Sequence, residues 1–133
     1  MSTHYEERMQ VDLDTIHRKL RKVSDLVENQ VQNAVEALLT GTDDLAKQVV
    51  LGDRQVNRRI KQVDYLCHAF IVRHAPSAGH LRQASAALRF GVALERVGDY
   101  AGMISREVVQ LGQPVPESNL VMDEKRGSSQ QVQ

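Results

Sequence analysis

Most of the residues that anchor a small domain by special chemistry are scarce in this chain. Its 133 residues include one cysteine, no tryptophan, two phenylalanines, three tyrosines and three prolines. A lone Cys67 closes no internal disulfide and supplies no paired-thiolate spacing for zinc. With so few aromatics, the core must be built from Leu, Val, Ile and Ala, the material of helix-on-helix packing. Net charge is also missing, because 17 basic residues balance 17 acidic ones. No global field draws the chain to nucleic acid or an anionic membrane, and no nucleic-acid partner is expected. No apolar run approaches the roughly 18 residues of a membrane span. The segment Met1 to Arg8 is polar and resembles no secretion signal, so the chain is read as cytoplasmic, at most peripheral to a membrane through its partners.

What is present is periodic. Leu13, Ile16, Leu20, Val23, Val27, Ala34 and Leu38 step by three, four or seven, which holds side chains on one face of a helix. Val31 and Val35 widen that stripe, while Arg18, Arg21, Lys22, Asp25 and Asn29 take the opposite face. This first helix begins near Glu6 and stops at Thr40-Gly41, where Gly41 suits a left-handed cap. Thr42-Asp43-Asp44 opens a second helix, with oxygens placed for its free amides and acids for the positive end of its dipole. Its inner stripe is Leu45, Val49, Val56, Ile60, Val63, Cys67 and Phe70. Pro76 ends it and Ser77 offers a cap for a third helix, running from about Ala78 to Leu111 and closed by Gly112. Short connections make neighbouring helices antiparallel. The expectation is an all-α antiparallel three-helix bundle over residues 4–112, with a polar, unpatterned and flexible tail over 113–133.

The third helix disturbs its own pattern. Leu81, Ala84, Leu88, Gly91, Val92, Gly98 and Gly102 define an apolar and small-residue stripe, and Glu95 and Asp99 fall within it. Two carboxylates one turn apart on an inward face repel and lose hydration, so arginine partners, protonation or a bound cation must compensate them. On the second helix Asp53, Asn57 and Asp64 line one edge of the apolar stripe. Oxygen donors from two facing helices are how bundles build carboxylate-bridged metal sites, suited to magnesium, manganese or iron. The competing reading is structural: Arg54, Arg58, Arg89, Arg96 and Arg106 are all available to pair these acids. Gly91, Gly98 and Gly102, each costing about 1 kcal/mol of helix propensity, suggest a close backbone approach or room for a ligand. His17, His68, His74 and His80 share no ligand spacing. Neither a phosphate-cradling glycine loop nor a nucleophile–base pair is present, and no enzyme is expected.

Leu94-Glu-Arg-Val-Gly-Asp-Tyr-Ala101 resembles the helix signature of the PhoU family. Pro76-Ser-Ala-Gly-His-Leu-Arg82 resembles the entry to that helix, Asp53-Arg-Gln-Val-Asn57 a second acidic motif, and His4 to Asp14 the family's opening. The resemblance covers residues 4 to 112. It implies a cytosolic three-helix domain acting as a negative regulator around a phosphate ABC transporter and its sensor histidine kinase. It further implies metal roles for Asp53 in one motif and for Glu95 and Asp99 in the other. Two positions depart from the family pattern: Asn57 stands where an acid is usual, and His80 where Asp is usual. Familiar members carry two tandem repeats where this chain holds one. Val31, Val35, Val50 and Leu51 lie beside the main stripes, and a homodimer that imitates the tandem pair is expected.

Overall fold

A computed structural model describes residues 3–112. It contains three helices, α1 (Thr3–Thr40), α2 (Asp43–His74) and α3 (Ala78–Leu111), and every pair of them is in contact. The all-α bundle is as the periodicity implied. The expected tail over 113–133 lies outside the described residues. At 1.5 Å per residue the helices are roughly 48–57 Å long.

The turns follow from local chemistry. Gly41 takes φ +69° and donates its N–H to the Ala37 carbonyl at 2.8 Å, closing α1 as a left-handed cap. Thr42 precedes α2 with extended backbone, but its hydroxyl meets the Thr40 hydroxyl at 2.6 Å and caps no helix amide. Asp43 instead holds Lys47 at 2.8 Å within the first turn. Ser77 likewise stands at the N-terminus of α3 without capping it, and its Oγ lies 3.3 Å from His80 Nδ1. Pro76 prevents α2 from continuing, and Ala75 just before it takes the left-handed conformation at φ 42° and returns its N–H to Ile71 O.

The apolar stripes meet in one continuous seam. Leu13, Ile16, Val23 and Val27 of α1 pack with Val56, Ile60, Val63, Cys67 and Phe70 of α2, and with Ala84, Ala87 and Leu94 of α3. Each buried aliphatic side chain contributes about 1.5–3 kcal/mol relative to exposure. Toward the C-terminal end of α1 the core narrows to Ala34, Val49 and Ala101, then to Ala37, Ala46 and Val108. Leu38, assigned to the α1 stripe, is instead half-exposed, because alanines have taken over the centre of the seam there.

On α3 the buried face is Ala84, Ala87, Gly91, Leu94, Gly98, Ala101, Gly102, Ser105 and Val108. Leu81 and Val92, read as part of the inner stripe, are 42% and 52% exposed. The true face is rotated toward Ala87, Leu94 and Ala101, which carries Glu95 and Asp99 out to solvent. Their inward placement is therefore corrected. Water supplies the compensation that a buried pair would have required.

Candidate functional site

The antiparallel run of α2 and α3 places Val56 against Gly98 and Asp53 against Gly102. One edge of this seam is polar. Asn57 and Asp64 of α2 and Glu95 of α3 line one groove of about 240 Å³, together with Lys61 and the apolar side chains of Ile60, Leu88 and Val92. The edge continues to Asp53, whose Oδ2 lies 3.7 Å from Arg106 Nη2, with the carboxylate largely shielded from water. Asp99, one turn beyond Glu95, is exposed. The structure thus brings Asn57, Asp64 and Glu95 to a common groove, keeps Asp53 on the same edge in an ion pair, and leaves Asp99 on the solvent side.

Of the arginines offered as partners for these acids, Arg106 is used; among the described residues Arg54, Arg58, Arg89 and Arg96 form no salt bridge. Asp64 also faces His68, at 3.5 Å from its ring nitrogen, as an exposed pair on one helix. The donor atoms along the edge are all oxygens, from carboxylates and an amide, a set suited in chemistry to a hard or borderline cation. Among the described residues no three His, Cys, Asp or Glu side chains converge as a ligand set. The fit is one of donor type along an open edge, with Asn57 supplying a neutral oxygen where a fourth carboxylate would stand.

The glycines read differently once placed. A methyl group at Gly91 would meet nothing within 4 Å, and one at Gly98 would touch Val56 Cγ1 at an ordinary 3.7 Å. Neither marks a close backbone approach. The tight position is Gly52, where a methyl would stand 2.9 Å from Gln30 Nε2, which donates to the Val49 carbonyl at 2.8 Å. Gln30 falls in the seven-residue step between Val27 and Ala34 of the α1 stripe, but it is polar, so apolar periodicity did not single it out.

Spacing also passed over a cluster at the opposite end of the bundle. His74, 5% exposed, places Nε2 2.6 Å from Asp12 Oδ2, and Tyr5 donates its hydroxyl to the His74 carbonyl. Tyr5 and Phe70 pack their rings against the imidazole. This polar knot ties the start of α1 to the end of α2 across 62 residues of chain. Cys67, buried two turns earlier on α2, has its thiol pushed up to about 11, by burial first and by the nearby Asp64 charge second. It is an inert core residue, as its place on the apolar stripe implied.

A family model described as the PhoU domain matches residues 20–108, which takes in the second half of α1, all of α2 and nearly all of α3. The chain belongs to the PhoU family. It is 32% identical over 111 residues to a phosphate-specific transport system accessory protein PhoU homolog of Pseudomonas putida, covering 84% of this chain and 43% of the relative. The homolog of Pseudomonas aeruginosa is also 32% identical, over 84% of this chain and 46% of its own length. The accessory protein PhoU of Escherichia coli is 29% identical over 83% of this chain and 46% of its own. The chain therefore spans less than half the length of these curated relatives. No solved structure gives a significant match. The relatives are named as accessory proteins of a transport system and not as enzymes, in line with the missing catalytic motifs. No described helix is long and apolar enough to cross a membrane.

Proposed function

We propose that this PhoU-family chain is a cytoplasmic regulator of phosphate transport, restraining a phosphate ABC transporter and the sensor histidine kinase that reports phosphate starvation. The observation that carries this reading is the PhoU-domain match across all three helices, joined to relatives named for phosphate-specific transport. The family's role enters as negative regulation: with phosphate plentiful, the bundle holds uptake and signalling down. Val35, Leu38, Leu39 and Leu51 leave apolar surface near the end where α1 hands over to α2, and a homodimer would cover part of it.

The α2–α3 edge is the proposed cation site, with Asp53, Asn57, Asp64, Glu95 and Asp99 as donors and iron, manganese or magnesium as candidates. A bound cation would neutralise these oxygens and tie α2 to α3. The open arrangement of the donors also supports a second reading, a metal-free three-helix interaction module, and elemental analysis after mild purification separates the two.

The regulatory reading is tested in a strain lacking this gene and carrying a phosphate-starvation reporter. Reporter activity in phosphate-replete medium should rise in the deletion and return to baseline on complementation. A reporter indifferent to the gene under both regimes removes the regulatory role.

A further inference from the structure

The helix α3 carries a second apolar stripe, distinct from the one it buries. Ala86, Phe90, Ala93, Val97 and Tyr100 advance by four, three, four and three residues, and all five are exposed. Ile104 continues the series, half-buried against the Ala34–Ala101 cluster. Steps that alternate four and three make a 3.5-residue repeat, the spacing that keeps a seam facing a second helix. Large and small residues alternate along it, so Ala86 and Ala93 form hollows on either side of Phe90. A shallow depression of about 510 Å³ lies there, bordered by Arg82, Arg89 and Phe90. Phe90, Val97 and Tyr100 are 47%, 40% and 62% exposed, more than a monomer surface gains anything by showing in a row.

The charges beside the seam identify what can cover it. Arg82, Arg89 and Arg96 recur every seven residues along its solvent side, and none forms a salt bridge among the described residues. Among the described residues no acid of α3 pairs with them, and Glu95 faces the α2 groove instead. On the other side of the seam, Ala87, Leu94 and Ala101 are already buried in the bundle. A second copy docking α3 against α3 in antiparallel fashion would therefore set Arg89 and Arg96 against their own counterparts. Like charges at flanking positions oppose such pairing. The face is not self-complementary.

We propose that the outer face of α3, from Arg82 to Tyr100, docks an amphipathic helix of a different protein whose apolar stripe is flanked by glutamate or aspartate. Phe90, Val97 and Tyr100 fill the partner's seam, the alanines receive its large side chains, and the three arginines select its acidic flank. A face of one helix is small by the standard of stable complexes, so the contact is a reversible one suited to signalling. The docking face is separate from the α2–α3 acidic edge and does not depend on a cation there.

The test uses the full chain and two synthetic helices of about three heptads with the same leucine seam, one flanked by glutamates and one by lysines. Binding is read by fluorescence anisotropy. The glutamate helix should bind at least roughly tenfold more tightly than the lysine helix, and the gap should shrink in about 0.5 M salt. The combined Arg82→Glu, Arg89→Glu and Arg96→Glu variant should invert the preference. Phe90→Ala with Val97→Ala should weaken both helices, with the helical circular dichroism unchanged because both positions are exposed. Equal binding of the two helices, or no binding of either, overturns the proposal. So does binding of the glutamate helix that survives loss of Phe90 and Val97. Vesicles about one-third phosphatidylserine serve as a competitor. If they bind through the arginines more tightly than the glutamate helix does, the face is a membrane contact and the proposal fails.

Discussion

Asp12 and His74 lie 62 residues apart in the chain and 2.6 Å apart in space, the carboxylate on the first turns of α1 and the imidazole on the last of α2. The imidazole is buried while Asp12 is about one-third exposed, so the carboxylate is what connects the ring to the surface. Arg73 reaches the same Oδ2 at 3.4 Å.

Removing one partner should cost more than the contact itself is worth. Asp12→Ala leaves a buried ring nitrogen without a partner, a penalty of about 1–3 kcal/mol. His74→Ala removes that nitrogen along with the ring contacts to Tyr5 and Phe70. Urea unfolding of both single variants and the double variant should give a coupling energy of about 1 kcal/mol or more. Additive losses would mean that the pair does not hold the helix ends together.

Gly91 and Gly98 lie on the buried face of α3 yet leave room for a methyl group. Gly91→Ala should stabilise the bundle by up to about 1 kcal/mol through helix propensity, and Gly98→Ala should do nearly as well. Gly98→Leu, which must displace Val56, should cost about 1–3 kcal/mol. Gly52→Ala gains the same propensity but pushes Gln30 off the Val49 carbonyl, so its benefit should appear only in a Gln30→Ala background. Thermal melts of this set distinguish open glycines from the crowded one. A loss at Gly91→Ala would show that its surroundings are tighter than the geometry indicates.

The three helices were legible because amphipathic periodicity is local and repeats for eight or more turns in each. The turns were legible through Gly41 and Pro76, whose backbone constraints act within a residue or two. The face of α3 was not, for a physical reason. Ala and Gly fill both its buried stripe and part of its exposed one, so Leu81 and Val92 outweighed Ala87 and Ala101 in setting the apparent direction. That misjudged direction turned Glu95 and Asp99 inward. Asp12–His74 and Gln30–Gly52 needed the third dimension, since neither pair shares a helix. Asn57, Asp64 and Glu95 line one groove because a short loop sends α3 back antiparallel along α2.

Cys67 should report burial through pH. Its folded thiol is pushed up to about 11 from an ordinary 9.0, so the neutral thiol is the form that the fold favours. The stabilising contribution of that neutral form is present below pH 9 and is lost as the pH rises toward 11, where the unfolded chain ionises and the folded one resists. The difference in unfolding free energy between wild type and Cys67→Ala should thus be flat up to pH 9. It should then narrow by on the order of 2 kcal/mol through pH 11. Native thiol modification by a disulfide reagent at pH 8 should be slow and should become fast in denaturant. Rapid native labelling would place the thiol in contact with solvent.

The acidic edge separates cation binding from packing most directly. Glu95 and Asp99 are exposed, so Glu95→Gln with Asp99→Asn should change the stability of the metal-free protein by no more than about 0.5 kcal/mol. Any metal effect is then read against an unchanged baseline. A cation that binds only the folded chain raises its stability by RT ln(1 + [L]/Kd), so wild-type melting should climb with added Mn²⁺, Mg²⁺ or Fe²⁺ and fall back in chelator. The neutral pair should lose that climb. Asn57→Asp adds a carboxylate oxygen to the groove shared with Asp64 and Glu95, and it should steepen the response. Arg106→Ala adds an independent arm: it removes the cation now 3.7 Å from Asp53 and frees that carboxylate, so it should also steepen the response if Asp53 is a ligand. A competing guanidinium and a bound metal cannot both be favoured by the same oxygens, which makes the sign of the Arg106→Ala effect informative. Wild type and the neutral pair responding alike to every metal would remove Glu95 and Asp99 from the site. A weaker response in Arg106→Ala would leave Asp53 as a structural ion-pair partner and shift the donors to the groove.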